Sequence, residues 1–236
     1  MRLLRSIGKD IRLQFRHGFY LVYLILSAVY IVALFLSGPE LREILHSLFI
    51  FADPSTMGYV FVGGIVLLER QEHSLLTVFV TPLTIQEYLW SKVLSINLLS
   101  LTASVLITLF VKGFNFNPFL FVWSVTITSP IFTLLGLAIT TRFKSLNALL
   151  IVTGLVAAFI NAPLIGYFQF YYSSVFEFFP PLASLHLIDM ALEHTEWNTL
   201  LFLQSSGILA LWSSVMYLWA HRWFQKYLVS QSGVKI

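Results

Sequence analysis

Six apolar stretches divide this chain, and each is long enough to cross a lipid bilayer. A helix rises about 1.5 Å per residue, so the roughly 30 Å of bilayer hydrocarbon needs about 20 apolar residues. Only 11% of the 236 residues are charged, well below the quarter that is usual in soluble domains. We therefore predict an all-α integral membrane protein, a single domain over residues 1–236 with six transmembrane helices: Phe19–Leu36, Ser47–Leu68, Val93–Val111, Phe119–Thr141, Asn147–Gly166 and Asn198–Ala220.

The basic residues predict how these helices are oriented. If the N-terminus is inside, the outer segments hold only Arg42 and Lys112 of the 14 Lys and Arg residues. Lys and Arg are enriched in the cytoplasmic loops of membrane proteins. The sequence therefore predicts a multi-pass protein of the inner or plasma membrane with both termini in the cytoplasm.

Residues 1–18 have apolar and basic side chains at helical spacing. One stripe is apolar and consists of Leu4, Ile7, Ile11 and Phe15. The other is basic and consists of Arg5, Lys9, Arg12 and Arg16. This pattern is typical of a helix that lies among lipid headgroups, with its cations on anionic lipid. We therefore predict an N-terminal interfacial helix and membrane lipid as a partner. A signal peptide is the alternative, but no small-residue cleavage site precedes Gly38-Pro39.

Residues 69–92 form the longest charged interruption on the predicted cytoplasmic side. Glu69 and Glu72 suit the first turn of a helix, where the helix dipole favours negative charge. Pro82 would end that helix, because the residue before a proline is biased toward extended backbone. A second short helix, Ile85–Lys92, would lead back to the membrane. The pattern predicts a compact helix–turn–helix between the second and third spans.

This loop resembles the cytoplasmic loop of type-2 ATP-binding-cassette (ABC) exporter permeases. The resemblance lies in Glu-Arg-x-Glu-x-Ser-Leu from Glu69 and in Val-Thr-Pro-Leu-Thr from Val80. His73 departs from the family pattern, which usually has glycine there. In that family the loop is a coupling helix that sits in a groove of the ATPase subunit. The resemblance implies ATPase-coupling roles for Glu69, Arg70, Glu72, Thr81, Pro82, Leu83, Glu87 and Lys92. An ordinary polar connection that contains a proline is the alternative.

The same resemblance implies a transport subunit rather than an enzyme. ATP and Mg would bind a separate ABC ATPase subunit, a second permease copy or paralogue would complete the transporter, and this chain would hold no cofactor and no nucleic acid. The segments Lys9–Gln14 and Phe19-Tyr20 further resemble fluoroquinolone-export permeases. They imply an amphipathic drug or lipid-like substrate. A cytochrome c maturation-type permease and an ion-coupled secondary transporter are the alternatives.

Motifs for chemistry within the chain are missing from the sequence. No segment reads G-x-x-x-x-G-K-[ST], the phosphate-binding loop of many ATPases, and there are no cysteines for thiolate sites. His186, Asp189 and Glu193 fall on one helical face and could be drawn as a metal site. We interpret them instead as the solvated face of an interfacial helix and predict no metal.

Residues 167–197 form the longest predicted extracytoplasmic loop, rich in aromatic residues and without Lys or Arg. After Pro180-Pro181, apolar residues at helical spacing predict a short amphipathic helix before the sixth span. The loop would lie half-embedded in the outer interface. Whether it re-enters the membrane stays open.

Asp53 is an ionisable residue inside the second predicted span. Such residues commonly mark transport paths, so Asp53 is a candidate for the substrate path. The alternative is that Asp53 caps a helix restarting at Pro54. Gly63, Gly64 and Gly136 are small residues that would let spans approach closely.

Overall fold

The computed structural model describes residues 2–72, 84–143, 145–168 and 173–232. These residues form helices and no strand. The α-helices are α1 Arg2–Arg16, α2 Phe19–Leu36, α3 Pro39–Ala52, α4 Gly58–Gln71, α5 Ile85–Lys112, α6 Pro118–Thr140, α7 Leu146–Asn161, α8 Leu164–Tyr167, α9 Pro180–Ala191 and α10 Thr199–Ser232. A π-helical segment, Asp53–Met57, joins α3 to α4, and a 3₁₀ helix covers Ser174–Phe178.

Among the described residues, five helical stretches are long and apolar enough to cross a membrane, and α7 is a shorter apolar helix. The five are Phe19–Leu36, Pro39–Gln71, Ile85–Lys112, Pro118–Thr140 and Thr199–Lys226. The prediction of an all-α membrane protein is confirmed. The fifth predicted span, Asn147–Gly166, differs from the structure. It is divided between α7 and α8 by a turn at Ala162-Pro163.

The predicted second span, Ser47–Leu68, begins too late, because residues 39–46 are already helical. Pro39 occupies the start of α3, where its missing N–H costs nothing, and Glu40 suits the positive end of the helix dipole. Arg42 donates to the carbonyls of Leu34 and Ser37 at the end of α2, at 2.8 and 3.1 Å. The connection from α2 to α3 is therefore a tight corner.

The two short helices predicted within residues 69–92 are not separate in the described residues. Glu69 lies in the last turns of α4, which ends at Gln71, and Ile85–Lys92 forms the first turns of α5. α5 begins at Thr84, whose hydroxyl accepts from the Glu87 amide while the Glu87 carboxylate accepts from the Thr84 amide. This capping box defines where the loop ends. Residues 73–83 lie outside the described residues.

The helix predicted after Pro180-Pro181 is present as α9, but its predicted solvated face is wrong. Every residue from Pro180 to Ala191 is buried except His186, which is half-buried. α9 packs against α3, α6 and α10. Asp189 is therefore enclosed by other helices and not exposed to solvent.

α6 lies at the centre of the bundle and packs against α4, α5, α9 and α10. Gly136 permits the close approach of α4, since a Cβ added there would lie 2.6 Å from the Tyr59 Cα atom. Gly63 is also tightly packed, because its added Cβ would lie 2.7 Å from the Leu149 Cδ2 atom. Gly64 has open space instead, so the prediction of close approach is wrong for that glycine.

Candidate functional site

Buried hydroxyl side chains recur along most of α5. We call this set the α5 seam: Ser91, Ser95, Ser100, Ser104 and Thr108, all fully buried. At 3.6 residues per turn, the first two lie on one side of the helix and the last three on the opposite side. Each hydroxyl meets a polar group from another element. The seam therefore joins three polar groups that lie at different depths in the bundle.

The first group is the loop-base cluster: Asp10, Glu69, Tyr88, Ser91 and Lys92. The Lys92 ammonium donates to the Asp10 carboxylate at 2.5 Å and also to the Glu69 carboxylate. Tyr88 donates to Glu69 at 2.8 Å, and Ser91 donates to Asp10. The cluster joins α1, the end of α4 and the start of α5.

Burial makes these contacts obligatory for the fold. The Lys92 side chain is 1% exposed, while Asp10 and Glu69 are 8% and 7% exposed. A buried charge is tolerated only when it is paired and hydrogen-bonded. One cation here lies between two carboxylates, and each carboxylate also accepts from a hydroxyl. Loss of Lys92 would therefore remove the cation that the two buried acids share.

Three further predicted coupling residues support the ends of the loop. Arg70 donates to the carbonyls of Phe143 and Thr140, at 2.6 and 3.3 Å, and so holds the end of α4 to the end of α6. The Glu72 side chain is 41% exposed, and its Oε1 atom lies 3.6 Å from the Nε2 atom of His17, the residue that follows α1. Glu87 is half-buried in the capping box.

The predicted coupling residues thus differ in exposure. Glu69 and Lys92 face each other inside the chain, while Glu72 and Glu87 are accessible from outside. Thr81, Pro82 and Leu83 lie outside the described residues.

The second group on the seam surrounds Asp53, the candidate for the substrate path. Its carboxylate accepts from Ser104 at 3.2 Å, and its side chain is turned inward, since the residue is 1% exposed. The backbone at Asp53 is helical and its side chain makes no capping bond, so the capping alternative does not describe this position. The π-helical segment begins at Asp53, and the Ser55 hydroxyl donates to the Phe51 carbonyl at 2.7 Å. Such segments often occur at functional positions in helices.

The third group lies at the opposite end of the bundle, and we call it the far-end cluster. It contains Ser47 of α3, Asp189 of α9 and His194 just after α9. The Ser47 hydroxyl donates to the Asp189 carboxylate at 2.5 Å and lies 3.1 Å from the His194 Nδ1 atom. Since the hydroxyl has one hydrogen, the His194 Nδ1–H must donate to Ser47.

Two more side chains complete the far-end cluster. Tyr167 donates to both oxygens of Asp189, each at 3.3 Å. Burial raises the pKa of Tyr167, and the Asp189 carboxylate raises it further, so the hydroxyl keeps the proton that it donates. His46 connects the cluster to the seam, because its Nε2 atom lies 3.3 Å from the Thr108 hydroxyl.

The residues considered as a metal site do not come together. Asp189 is buried in the far-end cluster, while His186 is half-buried and Glu193 is exposed. Within the described parts of the chain, no group of three or more His, Asp or Glu side chains could hold a metal ion.

Comparison with known proteins places this architecture in a family. The model of the fluoroquinolones export permease protein family matches residues 1–232. This chain belongs to the fluoroquinolones export permease family. Two fluoroquinolones export permease proteins from Mycobacterium tuberculosis, strains CDC 1551 / Oshkosh and ATCC 25618 / H37Rv, are each 24% identical to it over 162 residues. Those matches cover 69% of this chain and 68% of each relative.

Family membership makes this protein a multi-pass transport subunit for efflux. The polar groups described above are therefore buried interior features of a permease. They link α1, α3 and α9 to α5 at three depths of the bundle. The loop between α4 and α5 begins and ends at the loop-base cluster.

Several residues of these clusters were not predicted from the sequence of the permease. They include Asp10, Tyr88 and Ser91 at the loop base and Ser47, Tyr167 and His194 at the far end. A signal for the seam does exist, because serine or threonine recurs every four or five residues from Ser91 to Thr108 within a largely apolar span. The partners on other helices carry no comparable periodicity.

Proposed function

We propose that this chain is the membrane-spanning permease subunit of an ATP-driven exporter of amphipathic drugs, with fluoroquinolones as the first substrate class to test. A separate ABC ATPase would supply ATP hydrolysis, with its Mg, and a second permease copy or paralogue would complete the path. The family and the names of the two mycobacterial relatives support export of this drug class. The absence of a phosphate-binding loop motif in the sequence supports a separate ATPase.

The observation that carries this proposal is the fixing of both ends of the loop. Glu69 and Arg70 bond near the end of α4, and Tyr88 and Lys92 bond near the start of α5. A partner that pushed on residues 73–83 would therefore move α4 and α5 together. Through Asp10 and Arg70, the same push would reach α1 and α6. This is the arrangement that a coupling loop needs.

The membrane orientation follows from the charge distribution. We propose the inner or plasma membrane, with both termini and the loop-base cluster on the cytoplasmic side. The far-end cluster would then lie on the extracytoplasmic side. This places the loop where an ATPase can reach it.

Coupling is tested by co-expressing the chain with candidate ABC ATPases, purifying the complex through the permease and reconstituting it in liposomes. Glu72→Gln removes an exposed charge at the start of the loop without disturbing the buried cluster. We expect it to lower fluoroquinolone transport per ATP hydrolysed while expression stays unchanged. Glu196→Gln, an equivalent change at the opposite end, should leave that ratio unchanged.

The alternatives lead to different outcomes. Export by the isolated chain in liposomes without ATP, driven by an ion gradient, would replace the ATP-driven proposal with a secondary transporter. Family membership favours drug export over a cytochrome c maturation-type permease. Failure of every ABC ATPase to co-purify would contradict the proposed partnership.

A further inference from the structure

Helix α1 presents three different faces. Its buried face carries Asp10 and Gln14, which bond to Ser91, Lys92 and Ser95 of α5. Polar contacts therefore hold this face of the helix to α5, while Leu13 packs against the core. The other two faces remain outside the bundle.

The first outer face is cationic. Arg5, Lys9, Arg12 and Arg16 are all exposed, and at 3.6 residues per turn they fall within roughly 60° of arc. Among the described residues, none of the four is paired with an acidic side chain. The segments outside the described ranges contain no Asp or Glu that could supply such a partner. This face therefore requires anions from outside the chain.

The second outer face is apolar and lies beside the first. Leu4 is 73% exposed and Phe15 is 61% exposed. The Phe15 ring stacks on Tyr20 in the first turn of α2, with 3.8 Å between ring centroids. α2 is a spanning helix with an exposed apolar surface that includes Leu21 and Leu24. The apolar face of α1 therefore continues into the apolar surface of a spanning helix, which suits contact with lipid acyl chains.

We propose that these two faces form a binding surface for anionic phospholipid, whose phosphate contacts the cationic face and whose acyl chains cover Leu4 and Phe15. Both chemistries of one lipid molecule match adjacent faces of one helix. Because Asp10 lies on the third face of the same helix, lipid held on α1 stabilises the loop-base cluster. The lipid surface thereby regulates the proposed coupling loop.

The binding test uses the full chain in nanodiscs, with a fluorophore on Gly8→Cys. This position is exposed, an added side chain meets nothing there, and the chain has no other cysteine. The label should be quenched more by spin-labelled phosphatidylglycerol than by spin-labelled phosphatidylcholine. Arg5→Gln with Arg12→Gln should lower the apparent affinity for phosphatidylglycerol about thirtyfold, since each cation near an anionic lipid surface raises the affinity about fivefold.

A matched control removes the same charge at the same end of the bundle. Arg222→Gln with Lys226→Gln neutralises two exposed cations on α10 and should leave the Gly8→Cys quenching unchanged. If both double variants lowered the quenching equally, only the net charge of the protein would matter, and the proposed binding surface on α1 would be refuted. Equal quenching by the two lipids would assign the cationic face to a protein partner instead.

The regulatory part has its own measurement. Phosphatidylglycerol should raise the melting temperature of the wild-type chain, and the increase should shrink in Asp10→Asn, which weakens the link to Lys92. An unchanged increase in Asp10→Asn would remove the regulatory link while leaving lipid binding intact. Neither measurement involves transport, so both can succeed if the ATP-driven export proposal, on which only the coupling role rests, fails.

Discussion

Replacement of Lys92 by methionine should be among the most damaging single changes in this protein. Methionine has about the same length, so packing is largely kept and the charge is what disappears. Asp10 and Glu69 would then be two buried carboxylates that have both lost the cation they share. Removing one partner of a buried ion pair costs about 3–5 kcal/mol. We expect the upper part of that range, because two partners lose their cation at once.

The measurement is the free energy of unfolding in detergent micelles, compared between variants by denaturant titration with one fixed probe. Lys226→Met is the matched control, since Lys226 is exposed and its ammonium only lies 5.4 Å from the Trp223 ring centroid. That control should cost less than about 1 kcal/mol. Lys92→Met combined with Asp10→Asn and Glu69→Gln should recover most of the loss, because no uncompensated charge then remains.

Equal losses for Lys92→Met and Lys226→Met would refute the reasoning. That result would mean that the three ionisable side chains of the cluster are solvated in the membrane and not enclosed. A triple variant no more stable than Lys92→Met would refute the electrostatic cause and leave packing as the explanation.

Three further predictions test orientation, packing and the candidate path. In intact cells, an impermeant thiol reagent should label Thr195→Cys and spare Gly8→Cys; the reverse pattern would invert the topology. Gly136→Ala should lower the free energy of unfolding by about 1–3 kcal/mol, because the added methyl group pushes α4 away from α6. Gly64→Ala should leave that free energy unchanged or raise it, because there is open space at Gly64. Asp53→Asn should keep stability within about 1 kcal/mol yet impair export of cationic drugs more than neutral ones; equal export of both would remove Asp53 from the path.

The helical fold could be predicted from the sequence because apolarity over 20 residues is a local property. The first span, Phe19–Leu36, agrees with the structure at both ends. Burial of a polar residue is not a local property. Asp189 looks like a solvated residue on an amphipathic helix, and its main partner, Ser47, is 142 positions away in the chain. Without that partner, periodicity alone places Asp189 in water.

The candidate site shows the same division. Glu69 and Lys92 stand out in the sequence because charge interrupts an apolar pattern, but the sequence does not show that they bond to each other. Asp10 belongs to a helix that the sequence predicts on the membrane surface, yet it completes the same cluster. The sequence shows which charged residues lie near the loop. Whether each side chain points into the bundle or out of it depends on how the helices pack.

The α5 seam suggests where the bundle would yield if the loop were moved. At the loop base, α5 is held by ion pairs, and at the far end it is held through His46 and Thr108. Between them it contacts the π-helical segment through Ser100 and Ser104. A π-helical turn has a hydrogen-bond register that differs from the α-helices on either side, so it is the place where α3 and α4 can change their relative angle with least loss. We therefore expect a displacement of α5 to be taken up at the depth where the ionisable Asp53 and the π-helical segment coincide.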